Sequence, residues 1–128
     1  MQVGDGAAVK LASNQLIASL TTGFATSLAL LEKNNVDIDA FMKILRPSAL
    51  YAPTFDKKLQ RMLDRNYSQP NFPTKHLLKD MRLFQKEAER HGINGELLVA
   101  LEAVVQKCID KELADTDYSA LYDAVVDP

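Results

Sequence analysis

Apolar residues dominate the first quarter of the chain and leave no polar face there. Over residues 6–33, a helix would carry apolar side chains on almost every side, which is typical of a helix that is covered all round. At 1.5 Å per residue this helix would be roughly 40 Å long. Because a small domain does not need that length, we expect the helix to pack also on another domain or subunit.

Shorter helices follow, and their bounds come from capping residues and helix breakers. Pro47 ends one helix, Ser48 is placed to cap the next with Pro53 near its first turn, and His91–Gly92 is a typical helix end. The predicted bounds are 37–46, 48–65, 73–91, 95–113 and 116–126, with Thr116 or Asp117 as the last cap. No strand pattern is convincing. The chain is therefore predicted to be all-α, a bundle of about six helices around a long central first helix.

The uncharged segment 16–31, LIASLTTGFATSLALL, has two other interpretations: a signal-peptide core or a short membrane span. It is short and rich in serine and threonine for a span, and it continues one helical pattern that already includes Lys10 and Asn14. We therefore interpret it as the buried central helix and expect no membrane partner.

Bulk composition predicts a single soluble domain over all 128 residues. The net charge is -2 and the pI is about 5.6, which argues against the basic face of a nucleic-acid binder. Cys108 is the single cysteine, so no internal disulfide can form and a reducing, cytoplasmic location is expected. No His/Cys/Asp cluster has metal-ligand spacing, so no metal is predicted.

The opening stretch GDGAAV resembles the start of a dinucleotide-binding glycine turn, but its context is wrong. That turn needs a strand before the glycines and a third glycine after them. Only three residues precede Gly4, no strand fits there, and Val9 stands in place of the third glycine. We interpret the stretch as a helix entry at which Gly4 and Gly6 let the chain turn.

Lys10 and Asn14 are four residues apart and share one face of the first helix. The next ionisable residue after Lys10 is Glu32, so its own segment does not neutralise the ammonium. Burial without a partner lowers the pKa of a lysine and lets it exchange a proton near neutral pH. Asn14 could then hold a substrate oxygen in line with the Lys10 side chain. On spacing alone, a surface lysine beside a helix-facing asparagine remains the alternative.

Two motifs and a closing helix, in order along the chain, resemble the C-terminal domain of the β-hydroxyacid dehydrogenases, the family of 3-hydroxyisobutyrate dehydrogenase. The first motif is G-x-G-x-x-x-K-x-x-x-N, and the second is F-x-x-x-x-x-x-K-D. The matching residues are Gly4, Gly6, Lys10 and Asn14 in the first motif and Phe72, Lys79 and Asp80 in the second. The closing stretch DTDYSALYDAV is similar to the family's acidic-aromatic helix with its D-x-S-A pattern.

The resemblance implies a role for each matching residue. Lys10 stands where the family has its catalytic lysine, which is a general base toward the alcohol and a general acid toward the carbonyl. The other implied roles are substrate binding by Gly6, Asn14 and Phe72 and cofactor binding by Lys79 and Asp80, in one shared cleft. The family often has a second asparagine just before the orienting one, and this chain has Ser13 there.

The resemblance also implies the architecture around this chain. The family joins an N-terminal Rossmann domain that binds NAD or NADP to a helical domain of the 6-phosphogluconate dehydrogenase C-terminal type. A hydroxy acid or semialdehyde binds between them, and the helical domain carries homodimer or higher oligomer contacts. This chain has no Rossmann motif, so we expect it to be one domain of a larger enzyme and inactive by itself.

Other interpretations stay open. A non-enzymatic dimerisation module derived from this domain would explain the long apolar first helix. Imine reduction occurs in relatives of the fold, but those relatives commonly lack a lysine where Lys10 stands. His76 and Asp80, four residues apart, are interpreted as a solvated helix face, and Cys108 as a core residue.

Overall fold

The first helix is the longest element, and all other helices are arranged along it. A computed structural model describes residues 4–128 of the chain. The helices are α1 Asp5–Lys33, α2 Ile38–Leu45, α3 Pro53–Asp64, α4 Thr74–Arg90, α5 Glu96–Asp110 and α6 Leu121–Val126, with a 3₁₀ turn Tyr118–Ala120 before the last. Residues 4–128 contain no strand beyond one isolated bridge between Pro73 and Asp117. The predicted all-α fold is confirmed, whereas the expectation that no strand precedes Gly4 concerns residues 1–3, outside the described chain.

Two hydrophobic clusters lie along α1, which contacts α3, α4, α5 and α6. The first cluster joins the N-terminal half of α1 to α4, α5 and α6, and includes Ala18, Leu77, Met81, Leu101, Val105, Cys108 and Leu121. The second joins the C-terminal half of α1 to α2, α3 and α6, and includes Phe24, Leu28, Met42, Phe55, Met62 and Tyr122. The interpretation of Cys108 as a core residue is confirmed, because its side chain is fully buried.

One side of α1 faces away from both clusters. Four apolar side chains on this side are between 38 and 66% exposed, namely Val9, Leu16, Leu20 and Leu30. The expectation of a helix covered all round is therefore wrong for residues 4–128 taken alone, because the five shorter helices pack on one side of it. No helix within this range is long and apolar enough to cross a membrane.

Three helix bounds differ by three residues or more from those predicted, and each difference has a local cause. The last helix begins at Leu121 and not at 116, because a separate 3₁₀ turn capped by Asp117 precedes it. The third helix begins at Pro53 and not at Ser48, because the Ser48 hydroxyl donates to the Leu45 carbonyl and accepts from the Leu50 amide in a separate turn. The fifth helix ends at Asp110, and Glu112 just beyond it has a φ of 65°. The His91–Gly92 end is confirmed, since Gly92 has a φ of 67°.

Candidate functional site

The two motifs meet at a buried hydrogen bond between α1 and α4. The Asn14 side-chain amide donates to the Asp80 carboxylate at 2.5 Å, across 66 residues of sequence. Asn14 is 9% exposed and Asp80 is 6% exposed. Because a carboxylate only accepts, Asp80 draws the NH₂ group of Asn14 toward itself. The amide oxygen of Asn14 is then left to accept a hydrogen bond from another group.

Asp80 is not part of a solvated helix face, so that interpretation of the His76–Asp80 pair is wrong. His76 is exposed, whereas Asp80 lies on the side of α4 that turns toward α1. Residues four apart differ by about 40° around a helix. That angle is enough to place one of them in solvent and the other under α1.

Lys10 lies one helical turn before Asn14 and is exposed, as are all residues from Gly4 to Lys10. It forms no ion pair with a residue of the described chain. The desolvation considered for this lysine is therefore not supplied by residues 4–128. Any burial of the ammonium has to come from a surface outside this domain.

Phe72 lies in the loop before α4 and is half-buried against the first core cluster. Its ring stacks on the His76 ring with centroids 6.1 Å apart and meets the Tyr118 ring edge-on at 6.3 Å. Phe72 is thus fixed from both sides at the N-terminal end of the helix that carries Asp80. His76 therefore contacts a residue of the candidate site, a contact that the sequence did not predict.

Lys79 is exposed and has no ion-pair partner among residues 4–128. It lies in a shallow groove of about 320 Å³ that three further basic side chains line, Lys75, Arg82 and Lys86. Lys75 is paired with Asp115 at 2.5 Å and Arg82 with Glu102 at 2.8 Å. The Lys79 ammonium, which has no ion-pair partner among residues 4–128, suits the phosphates or the amide of a nicotinamide cofactor. The described chain offers no glycine-rich loop, so it fits one edge of such a group and not the whole.

Gly6 does not act as a turn. Helix α1 already begins at Asp5, and Gly4 before it has an extended φ of -71° that any residue adopts. A Cβ atom placed on Gly6 would meet nothing within 4 Å. Space inside this domain therefore does not require glycine at this position.

A buried ion pair beside the Phe72 loop escaped the sequence analysis. The Lys58 ammonium lies 3.1 and 3.0 Å from the two carboxylate oxygens of Asp117, and the two side chains are 2% and 0% exposed. Burial by itself would raise the pKa of Asp117, but hydrogen bonds from Ser119 and Lys58 outweigh it and hold that pKa below its usual value. The available signal was the position of Lys58 between Phe55 and Met62, on the apolar side of α3.

In this all-helical domain, Asn14, one turn after Lys10, thus meets the buried Asp80. Residues 4–125 match the family model described as the NAD-binding domain of NADP-dependent 3-hydroxyisobutyrate dehydrogenase. The chain belongs to this family, and the resemblance inferred from the motifs is confirmed.

Relatives and solved structures agree with this assignment. The chain is 33% identical over 124 residues to glyoxylate/succinic semialdehyde reductase 1 of Arabidopsis thaliana, covering 97% of the chain and 43% of that protein. It is 31% identical to the chloroplastic reductase 2 of the same plant, with 97% and 34% covered. The fold matches 3-hydroxyisobutyrate dehydrogenase from Salmonella typhimurium with a TM-score of 0.83 at 19% identity, over 94% of this chain and 42% of that one. The chain thus spans less than half the length of these relatives.

Metal ligation finds no support among residues 4–128. They contain no group of three or more His, Cys, Asp or Glu side chains that could hold a metal ion.

Proposed function

We propose that this chain is the substrate-binding and catalytic-lysine half of an NAD(P)-dependent 3-hydroxyacid dehydrogenase or semialdehyde reductase. The observation that carries the proposal is the buried contact between Asn14 and Asp80, which joins the two motifs of the family at one place. Lys10 lies one turn before Asn14 on α1, and Phe72 lies just before the helix that carries Asp80.

In this proposal Lys10 exchanges the proton of the substrate hydroxyl or carbonyl oxygen. Its ammonium donates a proton to the carbonyl oxygen during reduction, and the neutral amine accepts the hydroxyl proton during oxidation. The nicotinamide cofactor supplies the hydride chemistry when it is bound. Asn14, with its NH₂ group held by Asp80, offers its amide oxygen to the hydroxyl or to the ammonium. Lys79 contributes a cation to the cofactor-binding edge.

The second half of the site would come from a dinucleotide-binding domain. Its closure over the exposed start of α1 would shield Lys10 from water. The names of the plant relatives make glyoxylate and succinic semialdehyde the first substrates to try. An immunoblot of the source cells measures the native polypeptide, which we expect to be larger by roughly 100–200 residues. A reducing compartment, such as the cytoplasm, suits the single buried thiol of Cys108.

The test is turnover by the full-length polypeptide that carries this chain. Oxidation of NADPH or NADH is followed at each candidate semialdehyde for the wild type and for Lys10→Met, which keeps the length of the side chain without its charge. Loss of the proton-transfer group is expected to lower kcat by about 10²- to 10⁴-fold. Lys33→Met, at the other exposed end of α1, is the matched control and should keep full activity. Normal turnover in Lys10→Met would refute the catalytic role, and the isolated chain is expected to show none.

A second candidate, a dimerisation module without catalysis, is favoured by the surface of α1. Its exposed side borders an apolar groove of about 350 Å³ formed by Leu20, Gly23, Leu45, Leu50 and Phe55. Leu50 is 79% exposed. No ionisable residue lies between Lys10 and Glu32 on this helix, so two copies can meet there about a twofold axis without charge repulsion.

Light scattering at high concentration distinguishes a dimer of the chain from a monomer. Leu20→Glu is expected to convert a dimer to a monomer, whereas Ala103→Glu, an exposed position on α5 away from this groove, should leave it intact. A monomeric wild type at high concentration would argue against this candidate. Dimerisation without any turnover of the full-length polypeptide would place it ahead of the dehydrogenase.

A further inference from the structure

The buried pair of Lys58 and Asp117 is not explained by stability alone. The pair lies between α3 and the start of the 3₁₀ turn, almost completely out of solvent. Removing two charges from water costs so much that apolar replacements of buried ion pairs are often neutral or stabilising. Stability therefore does not account for this pair, and its contacts indicate what it holds in place.

Asp117 organises the loop that carries Phe72. Its Oδ1 atom accepts from the Asn71 backbone amide at 3.2 Å, and its Oδ2 atom accepts from the Ser119 amide and hydroxyl at 3.0 and 2.6 Å. Lys58 bridges both oxygens. The carboxylate is thus saturated, and one of its donors is the residue immediately before Phe72.

The segment around Asp117 also holds Phe72 directly. The Tyr118 amide donates to the Phe72 carbonyl at 3.1 Å, and the Tyr118 ring packs edge-on against the Phe72 ring. The Lys58 ammonium lies 4.4 Å from the centre of that same Tyr118 ring, within range of a cation–π contact. Lys58 therefore touches both parts of the clamp, the carboxylate and the aromatic ring.

We infer that Lys58 and Asp117 are positioning residues, which clamp the loop through the Asn71 amide and through Tyr118 packed against it, and thereby set where Phe72 stands at the substrate cleft. The role of the cleft rests on the function proposed above, whereas the clamp itself rests only on these contacts. The loop from Asn66 to Pro73 has no regular structure of its own. Its geometry has to be imposed by neighbours, and the pair supplies that constraint from α3.

The first test measures the clamp without reference to catalysis. Amide hydrogen exchange is followed by NMR in the 128-residue chain for the wild type and for Lys58→Met/Asp117→Asn, which removes both charges together. The oxygen of the new asparagine is expected to stay with the nearby Ser119 amide, a local turn contact, and so to abandon Asn71. Exchange at the Asn71 amide should then rise by about tenfold or more, the effect of losing one hydrogen bond to a charged group.

The test compares exchange rates within one protein, so a general loss of stability, which would raise all rates together, cannot produce the expected result. The rise at Asn71 and Tyr118 is measured relative to the α1 amide of Leu28, which reports global opening. Lys57→Met, the exposed neighbour of Lys58 on α3, is the matched control and should change none of these rates. If the double variant does not fold, Lys58→Gln retains a neutral donor beside Asp117 and permits the same comparison. Equal changes at Asn71, Tyr118 and Leu28 would overturn the inference.

The second test asks whether the clamp serves the cleft. In the full-length polypeptide, the double variant is expected to raise KM for the carbonyl substrate several-fold while KM for the nicotinamide cofactor stays constant, because Phe72 faces the substrate. Absence of turnover in the wild type would reject the proposed function and leave the exchange result to decide the clamp. Turnover with unchanged exchange and unchanged KM would reject the positioning role alone.

Discussion

The contact between Asn14 and Asp80 can be tested by replacing each residue with leucine, which has nearly the same shape as either side chain. Asn14→Leu leaves the buried Asp80 carboxylate without its donor. Asp80→Leu leaves the NH₂ group of Asn14 without its acceptor. The double variant removes both polar groups and leaves neither unpaired, so the three variants with the wild type form a double-mutant cycle.

The expected magnitudes follow from the burial of each group. An unpaired buried amide costs about 1–3 kcal/mol, and an unpaired charged group costs more. We therefore expect the free energy of unfolding to fall by about 2 kcal/mol for Asp80→Leu and by about 3 kcal/mol for Asn14→Leu. Replacing both partners by apolar groups is nearly neutral, so the coupling should approach the sum of the two single losses, about 5 kcal/mol.

The assay is thermal and urea unfolding of the 128-residue chain, followed by circular dichroism. One kcal/mol corresponds to about 3–5 °C in Tm for a domain of this size. Gln15→Ala, which breaks the 2.7 Å contact to Ser19 within α1, is the matched control and should cost no more than about 0.5 kcal/mol. A double variant as unstable as the two single changes added together would refute the contact, and with it the main support for the proposed site.

Three further predictions concern single positions. Gly6→Ala should raise Tm by about 2 °C, because alanine adds helix propensity and its Cβ meets no atom within 4 Å. Turnover of the full-length polypeptide should fall if Gly6 faces substrate. A lower Tm would show that the space beside Gly6 is not open. Burial and the hydrogen bond to Glu32 raise the pKa of Tyr122 above its usual value, so the stability that Tyr122 contributes is complete below pH ~10 and is lost as pH rises further. Tyr122→Phe should therefore make the free energy of unfolding depend less on pH in this alkaline range. An unchanged dependence would count against this. Burial raises the pKa of Cys108 to about 12, so Ellman's reagent should react with it only after unfolding in urea, whereas rapid reaction of the folded chain would show that the thiol is accessible.

Helix content could be predicted because its causes are local. Pro47 and Gly92 interrupt helices through their own backbone chemistry, and Asp117 caps the 3₁₀ turn by accepting from the Ser119 amide. The start of α3 could not be placed from the same rules, because Ser48 is an equally good cap for two different turns. Its hydroxyl is used in the turn after α2.

The candidate site was predictable in its members and not in their surroundings. The motifs indicated Asn14 and Asp80, yet the spacing of His76 and Asp80 alone suggested a solvated pair. Burial depends on which side of α4 meets α1, and that choice is made by the whole helical assembly. Lys58 shows the same limit, since a charged residue on an apolar face becomes acceptable only when a distant carboxylate reaches it.

The sequence by itself determined the all-helical class, the length of α1 and the row that carries Lys10 and Asn14, because helical periodicity is a property of neighbouring residues. Only the tertiary structure decided that Asn14 meets Asp80, that Lys10 stays exposed and that Lys58 is buried against Asp117. These outcomes depend on contacts between residues far apart in the chain, whose hydrogen bonds and burial exist only once the helices have packed.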